Sequence, residues 1–504
     1  MDILLIHPPT VLDAEHSKKS IMSSIMIGYG MLSIGAFLEK AGYNIEIFNI
    51  PYAYSLGFTE DNILNLFKSY NPKLIGIELN WIQFSKGTIE YAEKLKEIFP
   101  NTPIIIGGVN ATIFAREILE SYSKFIDAIF IGEAELTFLD YIKNLESNGD
   151  LSNVKGILRV DENNRIRDQG PARIFKNIDE IPPYSLNLVK PRLITPYDLG
   201  MINTCRGPCI HNCSYCIGNR NTYSTSLKSS RTDLAVHSVE WILSQIQILL
   251  KDVKKLSIQD YIYCRPKKVL EIAKAMQKEN LDEKVEYFNF AALPGSLNQE
   301  ILEALSKSGV DNIDFGIESG SINILKNIKR PYTIPQVIDA IKSSVKSGIL
   351  PKTYWLVGLP FETENDLEKT KELIVKTIKL GALPKWVTPL CLFPGLELFE
   401  NADKFGIKLK LKKFQDFFTF STTIRNMNSW YPSVITHETQ NFKINDILRN
   451  SLELKRFISS KSDLILTYQE KNLENYIKYH PKFDENIVLQ RIKMVLNLIK
   501  YTFF

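Results

Sequence analysis

Cysteine is scarce in this chain, with six residues in 504. A disulfide framework is therefore excluded as the main support, and a chain this long can bury its own cores. Charge of one sign is nearly absent as an excess: 61 basic against 57 acidic residues leave a net charge of +4. That balance gives no electrostatic footprint for a nucleic acid. Long apolar runs are missing, so no segment reads as a membrane span. The opening residues MDILLIHPPT lack the basic start, apolar stretch and small-residue cleavage site of a secretory signal. We therefore expect a cytoplasmic chain with no membrane span and no nucleic-acid partner. Hydrophobic content of 44% and charged content of 23% are those of an ordinary globular protein, and the length predicts two or three domains.

Four of the cysteines crowd into one stretch, TCRGPCIHNCSYC, from Thr204 to Cys216. In a reducing compartment such a cluster suggests metal or redox chemistry before disulfides. Cys209, Cys213 and Cys216 have the spacing Cys-x3-Cys-x2-Cys, which can turn three thiolates toward one center. A zinc site would need a fourth ligand, from Cys205 or His211. A 4Fe-4S cluster on three thiolates would leave one iron open, as catalytic metal sites do.

The rest of the chain reads as two alternating blocks and a tail. Strand and helix signals alternate five times in the first 150 residues, from ILLIH (Ile3–His7) to AIFIGEAE (Ala128–Glu135). Five such units predict an open, doubly wound parallel sheet that binds ligands beyond the carboxyl ends of its strands. The loops there are HPPT, NWIQF, GGVN and GEAE. Residues 151–199, with paired prolines, read as a linker. Residues 200–400 hold six more strand–helix repeats, enough for a full or partial (β/α)6 barrel with its site at the carboxyl ends of the strands. Residues 401–504 read as a C-terminal helical cap over the barrel mouth, with apolar residues at helical spacing in LKRFISSKSDLILTYQEK and IVLQRIKMVLNLIKYTFF. The fold class is thus α/β, with the doubly wound sheet first, the barrel second and a helical region last.

The cysteine spacing, with Tyr215 before the last cysteine, resembles the signature of radical S-adenosylmethionine enzymes. GIESGS (Gly316–Ser321) is similar to that family's fourth-strand segment, and VGLPFET (Val357–Thr363) to its fifth-strand turn. The N-terminal block with GGVN and GEAE resembles the cobalamin-binding domain of one branch. The resemblance implies that Cys209, Cys213 and Cys216 bind the cluster and that S-adenosylmethionine occupies the open iron. Tyr215, Gln259, Glu318 and Ser319 would line that molecule, Gln259 and Asp260 replacing an acidic segment found in relatives. Arg330 would pair with its carboxylate or lie solvated at a helix end. Pro9, Thr10, Trp81, Gly107, Gly108, Val109, Asn110, Gly132 and Glu133 would contact cobalamin, with Trp81 or Gln83 covering its lower face. No Asp-x-His-x-x-Gly segment offers a lower histidine ligand; neither His7 nor His16 fits. Cys205 is read as a stray thiol, and Cys264 and Cys391 as packed residues.

The implied activity is generation of a 5′-deoxyadenosyl radical and cobalamin-dependent methylation of an unactivated carbon, with a flavodoxin or ferredoxin as electron donor. Rearrangement or oxidation without methyl transfer is one alternative, and a non-catalytic corrinoid or iron-sulfur sensor another. Peptide, lipid-like and small natural-product substrates all remain open.

Overall fold

The computed structural model describes residues 1–10, 27–192, 199–421 and 434–482. His16 and the expected helix of the final eighteen residues lie outside them. The chain divides into two compact units. One comprises residues 1–198, 220–235 and 411–426; the other comprises 199–219, 236–410 and 427–504.

In the first unit, β1 (Ile3–His7), β2 (Ile45–Asn49), β3 (Leu74–Glu78), β4 (Ile104–Gly107) and β5 (Ala128–Phe130) form the expected parallel core, in the order β5-β4-β3-β1-β2. Nearly every residue of β1 and β3 is buried, as strands covered on both faces must be. Glycine permits one close approach that fixes a ligand-side loop. A Cβ on Gly87, in the helix Ser85–Ile98, would fall 1.9 Å from the Pro9 carbonyl oxygen.

Residues 151–190 are not a linker. β6 (Ile157–Val160) and β7 (Ile166–Asp168) make a hairpin that pairs antiparallel with β5, and β8 (Val189–Lys190) joins the far edge beside β2. The turn is held by Asp161, whose Oδ1 accepts from the amides of Asn163 and Arg165 at 2.9 Å. An Asx turn of this kind is what Asp-Glu-Asn-Asn between two short β runs encodes.

The segment 220–235, which follows the cysteine loop, also belongs to this unit. Arg231 is buried and makes a two-pronged pair with Glu133, Nε to Oε1 at 2.6 Å and Nη2 to Oε2 at 2.7 Å. Its Nη2 also donates to the Phe175 carbonyl at 3.0 Å. Breaking a buried pair strands the remaining charge. Arg231→Met is therefore expected to destabilise this unit by about 3–5 kcal/mol, read as a lower thermal midpoint, and adding Glu133→Gln to recover much of the loss.

In the second unit, β9 (Leu199–Ile202) is followed by the short β10 (Cys205–Arg206); β11 (Ala235–Val236) begins on the last residue of the segment 220–235. Then come β12 (Lys255–Ile258), β13 (Tyr287–Ala292), β14 (Asn312–Glu318), β15 (Leu350–Val357) and β16 (Leu383–Pro389). The sheet runs β16-β15-β14-β13-β12-β9, all parallel, with β16 and β9 as its two edges. It is a partial barrel of six strands. Helix starts are set locally: Thr363 accepts from the Asp366 amide, and Asp366 from that of Thr363 at 3.0 Å, a capping box for the helix Glu364–Ile378.

The tail runs from the carboxyl end of β15, where His437 Nε2 meets the Gly358 carbonyl at 2.8 Å, along the flank of the barrel. The helix Ile444–Ser459 packs on β15, β16 and the helix Glu364–Ile378, on the outer flank. The helix Ser462–Tyr479 lies against the loops that enter β15 and β16. There Gln469 donates to the Gly381 carbonyl at 2.8 Å, and His480 Nε2 meets the Gly348 carbonyl at 3.0 Å. The helix Ser462–Tyr479 thus borders the amino ends of β15 and β16, whereas Ile447 of the preceding helix lies against Gly358 at the carboxyl end of β15. Between them and the barrel, β17 (Ile407–Leu409) pairs antiparallel with β18 (His437–Thr439). The aromatic stretch Phe414–Ser421 belongs to the first unit, where Phe414 and Phe417 pack on Phe114 at 5.3 and 5.5 Å.

Candidate active site

The cysteine loop is held by its own backbone and by two side chains outside the thiols. The Cys209 amide donates to the Gly218 carbonyl at 2.8 Å and the Cys216 amide to the Cys213 carbonyl at 3.1 Å. Asn219 Nδ2 donates to the carbonyls of Cys213 and Cys216 at 3.1 and 2.7 Å. Asp260 secures the approach to the loop: its carboxylate accepts from the Thr204 amide at 2.5 Å, the Thr204 hydroxyl at 2.8 Å and the Cys205 amide at 3.3 Å. Asp260 is thus committed to the loop's scaffold.

All six cysteines are free thiols. Burial raises Cys213, against the pull of Arg330, and pushes Cys216 up to about 11. Cys209 is lowered, chiefly by its contact with the Cys264 thiol. Cys205 is 2% exposed, and burial, aided by Asp260, holds its thiol well above the usual range. Among the described residues, no three His, Cys, Asp or Glu side chains converge closely enough to hold one metal ion. Thiolates that serve three different irons of a cluster stand farther apart than the ligands of a single zinc ion.

Beside the loop lies a buried polar chain. Glu318 ends β14 at φ +67°, where the register with β15 shifts. A non-glycine residue in that region stores strain, which marks an imposed side-chain direction. Its Oε1 accepts from the Tyr215 hydroxyl at 2.9 Å and lies 3.4 Å from Arg330 Nη2. Arg330 also donates from Nη1 to Cys213 Sγ at 3.5 Å, from Nε to the Tyr332 hydroxyl at 3.0 Å, and from Nη2 to the Gly316 carbonyl. Its guanidinium lies over the Tyr332 ring at 4.8 Å and the Tyr215 ring at 5.9 Å. Burial pushes the Glu318 carboxyl up, and Arg330 and the Tyr215 hydroxyl pull it back. Arg330 is therefore a buried partner of the site and not a solvated helix end.

Two other expected residues are engaged elsewhere. The Ser319 hydroxyl meets Thr370 at 3.3 Å and accepts from the Ser321 amide at 3.1 Å. Gln259 is exposed, with its amide donating to Ser257 at 3.0 Å and Asp314 at 3.2 Å.

At the end of β15, Glu362 accepts from the amides of Gly358 at 2.8 Å and Leu359 at 3.3 Å, fully buried. Burial pushes its carboxyl up to about 8. The folded chain therefore holds a proton that the unfolded chain releases near pH 4.5. Stability should be fullest below pH 4.5 for this group and fall as pH rises toward 8. Glu362→Gln is expected to flatten the decline of the thermal midpoint across that window, an effect on the order of a few kcal/mol at its upper end.

In the first unit, the expected residues gather at the carboxyl ends of β1, β3, β4 and β5. Asn80, which the sequence reading missed, ties them together. Its carbonyl accepts from Asn110 Nδ2 at 2.6 Å, and its Oδ1 from the Val109 amide at 3.3 Å. Gly108, at φ +117°, has room for no side chain, since a Cβ would meet Asn80 Oδ1 at 2.7 Å. Gly132 donates to the Thr112 hydroxyl at 3.3 Å. Pro9 and Thr10 are buried, whereas Trp81 is 53% exposed. Gln83 is half-buried. Glu133 is bound by Arg231. His7 is fully buried with Nδ1 on Glu78, which excludes it, as placed, from serving as an open imidazole ligand.

A three-thiol loop at the head of a six-stranded partial barrel, in one chain with a doubly wound sheet, defines a radical enzyme of two cofactor domains. The radical SAM superfamily model matches residues 207–374, and the B12 binding domain model matches residues 23–142. The chain belongs to the radical SAM superfamily, in the branch that carries a B12 binding domain. An uncharacterised methyltransferase of Pyrococcus horikoshii is 28% identical over 416 residues, covering 80% of this chain and 83% of that protein. In fold the chain is similar to the radical S-adenosylmethionine methyltransferase TsrM from Kitasatospora setae, solved with cobalamin and a 4Fe-4S cluster. The TM-score is 0.66 at 13% identity, over 99% of this chain and 100% of that one. It is also similar to the cobalamin-dependent S-adenosylmethionine radical enzyme OxsB, at a TM-score of 0.62 and 18% identity, over 99% of this chain and 72% of that one. Among the described residues no helix is long and apolar enough to cross a membrane.

Proposed function

We propose that this protein methylates an unactivated carbon, using a 4Fe-4S cluster, S-adenosylmethionine and cobalamin. The observation that carries the reading is the buried chain Tyr215–Glu318–Arg330–Cys213, set against the three-thiol loop in a protein that also has a B12 binding domain.

The residues fit these groups. Cys209, Cys213 and Cys216 supply three sulfur donors whose backbone is already anchored by Asn219. In the first unit, a Cβ on Gly107 or Gly132 would meet nothing nearer than 3.7 Å, so bare backbone is left open at the carboxyl ends of β4 and β5. When bound, the cluster and S-adenosylmethionine would supply one-electron cleavage, and cobalamin a transferable methyl group.

The chain's own residues bind, orient and neutralise. Arg330 places its positive charge against Cys213 and Glu318 at once, which favours the thiolate that iron binding requires. Burial keeps the Tyr215 hydroxyl protonated, so it donates to Glu318. Glu318 is thereby fixed as an acceptor at the strand end, with one rotamer and a strained backbone behind it. Tyr332, donating to the carbonyls of Gly316 and Ile317 at 2.7 and 2.9 Å, satisfies the acceptors that the irregular strand leaves open. Gly107, Gly108, Val109, Asn110, Gly132, Pro9, Thr10 and Trp81 would contact cobalamin, with Glu133 acting through Arg231. Gln259 and Ser319 would border S-adenosylmethionine.

The test is anaerobic purification with iron, sulfide and corrinoid quantified, followed by reduction with a flavodoxin, a ferredoxin or dithionite. Release of 5′-deoxyadenosine excludes a sensor or a zinc-stabilised module. A product heavier by one CH2 supports methylation. A new product of unchanged mass assigns rearrangement instead, and a mass change other than CH2, such as a loss of two hydrogens, assigns oxidation.

A further inference from the structure

Cys264 lies outside the cysteine signature, yet the fold brings it to the cluster loop. It ends a single 3-10 turn, Ile262–Cys264, just after β12. Its Sγ stands 4.0 Å from Cys209 Sγ, and the Tyr263 hydroxyl stands 3.9 Å from the same sulfur. Two features pin the segments that carry these thiols. Asp260 accepts from Thr204 and Cys205 before the loop and from the Ile262 amide, at 3.1 Å, in the turn. The Tyr261 ring packs on the bare backbone of Gly218, where a Cβ would fall 1.7 Å from its hydroxyl. The 4.0 Å separation therefore belongs to a braced contact. Cys264 is half-buried and its neighbour Ile210 is 46% exposed, so solvent reaches the edge of the pair.

We propose that Cys264 is the thiol partner of Cys209 whenever the loop is without iron, the two closing a reversible disulfide that keeps a cluster ligand from irreversible oxidation. The approach needed is about 2 Å, from contact to the bonded S–S length of roughly 2.0 Å. With glutathione disulfide as oxidant, the Cys209 sulfur attacks one sulfur of its S–S bond and releases one glutathione thiol. Cys264 then attacks the mixed disulfide, forms the Cys209–Cys264 bond and releases the second. The protein loses two electrons and two protons, and the oxidant becomes two thiols. A dithiol reverses both steps and returns Cys209 for iron binding. Sulfenic and sulfinic acids, the damaging route for a ligand thiol left without iron, are thereby bypassed.

The test uses the full chain stripped of iron by a chelator under reductant, freed of both, and treated with glutathione disulfide without oxygen. After alkylation and trypsin, Cys209 lies in peptide 207–220 and Cys264 in peptide 256–267, because the Arg265–Pro266 bond resists cleavage. Wild type should give the two peptides joined, with fragmentation placing the link on Cys209. Cys264→Ser and Cys264→Ala should instead stop at peptide 207–220 carrying glutathione on Cys209. Untreated variants that bind iron at the wild-type level show that the loop is intact. A wild-type peptide 207–220 closed on itself, or Cys264 alkylated throughout, overturns the proposal. Neither cobalamin nor turnover enters the readout, so its failure and that of the methylation reading are separable.

Discussion

Cys213→Ala is expected to lose bound iron and to release 5′-deoxyadenosine only at background, while the chain stays folded. The loop's shape does not depend on this thiol: Asn219 and the backbone bonds at Cys209, Cys213 and Cys216 define it. Removing one sulfur costs a small packing loss, on the order of 1 kcal/mol for a buried group of this size. The chemical loss is of another order, because three thiolates are the least that hold the cluster while leaving a corner for S-adenosylmethionine. Cys205→Ala is the control. That thiol lies outside the Cys-x3-Cys-x2-Cys spacing, on a segment whose backbone Asp260 holds, so iron content and cleavage should match wild type. Iron per chain and 5′-deoxyadenosine yield, measured on the same preparations, decide both outcomes. Full cleavage in Cys213→Ala would refute the ligand assignment.

What the sequence disclosed follows the strength of its periodic signals. The parallel strands were legible because runs such as ILLIH and PIIIGG are mostly apolar and sit between helices of clear spacing. The three cysteines proposed to hold the cluster stood out because their spacing is local. The hairpin of residues 157–168 was hidden because its strands are three and four residues long, too short for a period. The tail's place was hidden for another reason: amphipathic spacing says that a face is buried, not against what. Lone residues that act through distant partners were hidden most completely. Cys264 lies fifty-five positions from Cys209, and Arg231 ninety-eight from Glu133. Asn80 sat beside Trp81 in a loop already singled out, yet only the fold shows that its backbone and side chain join two loops.

Arg330 carries the second large effect. It serves Glu318, Cys213, Tyr332 and the Gly316 carbonyl together, with a side chain only 7% exposed. Arg330→Met keeps the volume and removes the charge. Glu318 is then a buried carboxylate with the Tyr215 hydroxyl as its remaining support, which should destabilise this unit by about 3–5 kcal/mol. The penalty should depend on pH in a definite sense. Without Arg330, burial raises the Glu318 carboxyl further above its unfolded value, so the folded chain binds the extra proton and stability falls as pH rises through that interval. The variant should accordingly lose more of its thermal midpoint at pH 8 than at pH 6. Adding Glu318→Gln removes the stranded charge and should restore most of the midpoint and abolish the extra pH dependence. Cleavage of S-adenosylmethionine should not return with it. The double variant lacks both the cation beside Cys213 and the acceptor at the end of β14, and correct folding replaces neither. If stability and cleavage recover together, the pair holds the fold alone, and the role given to it in positioning S-adenosylmethionine is wrong.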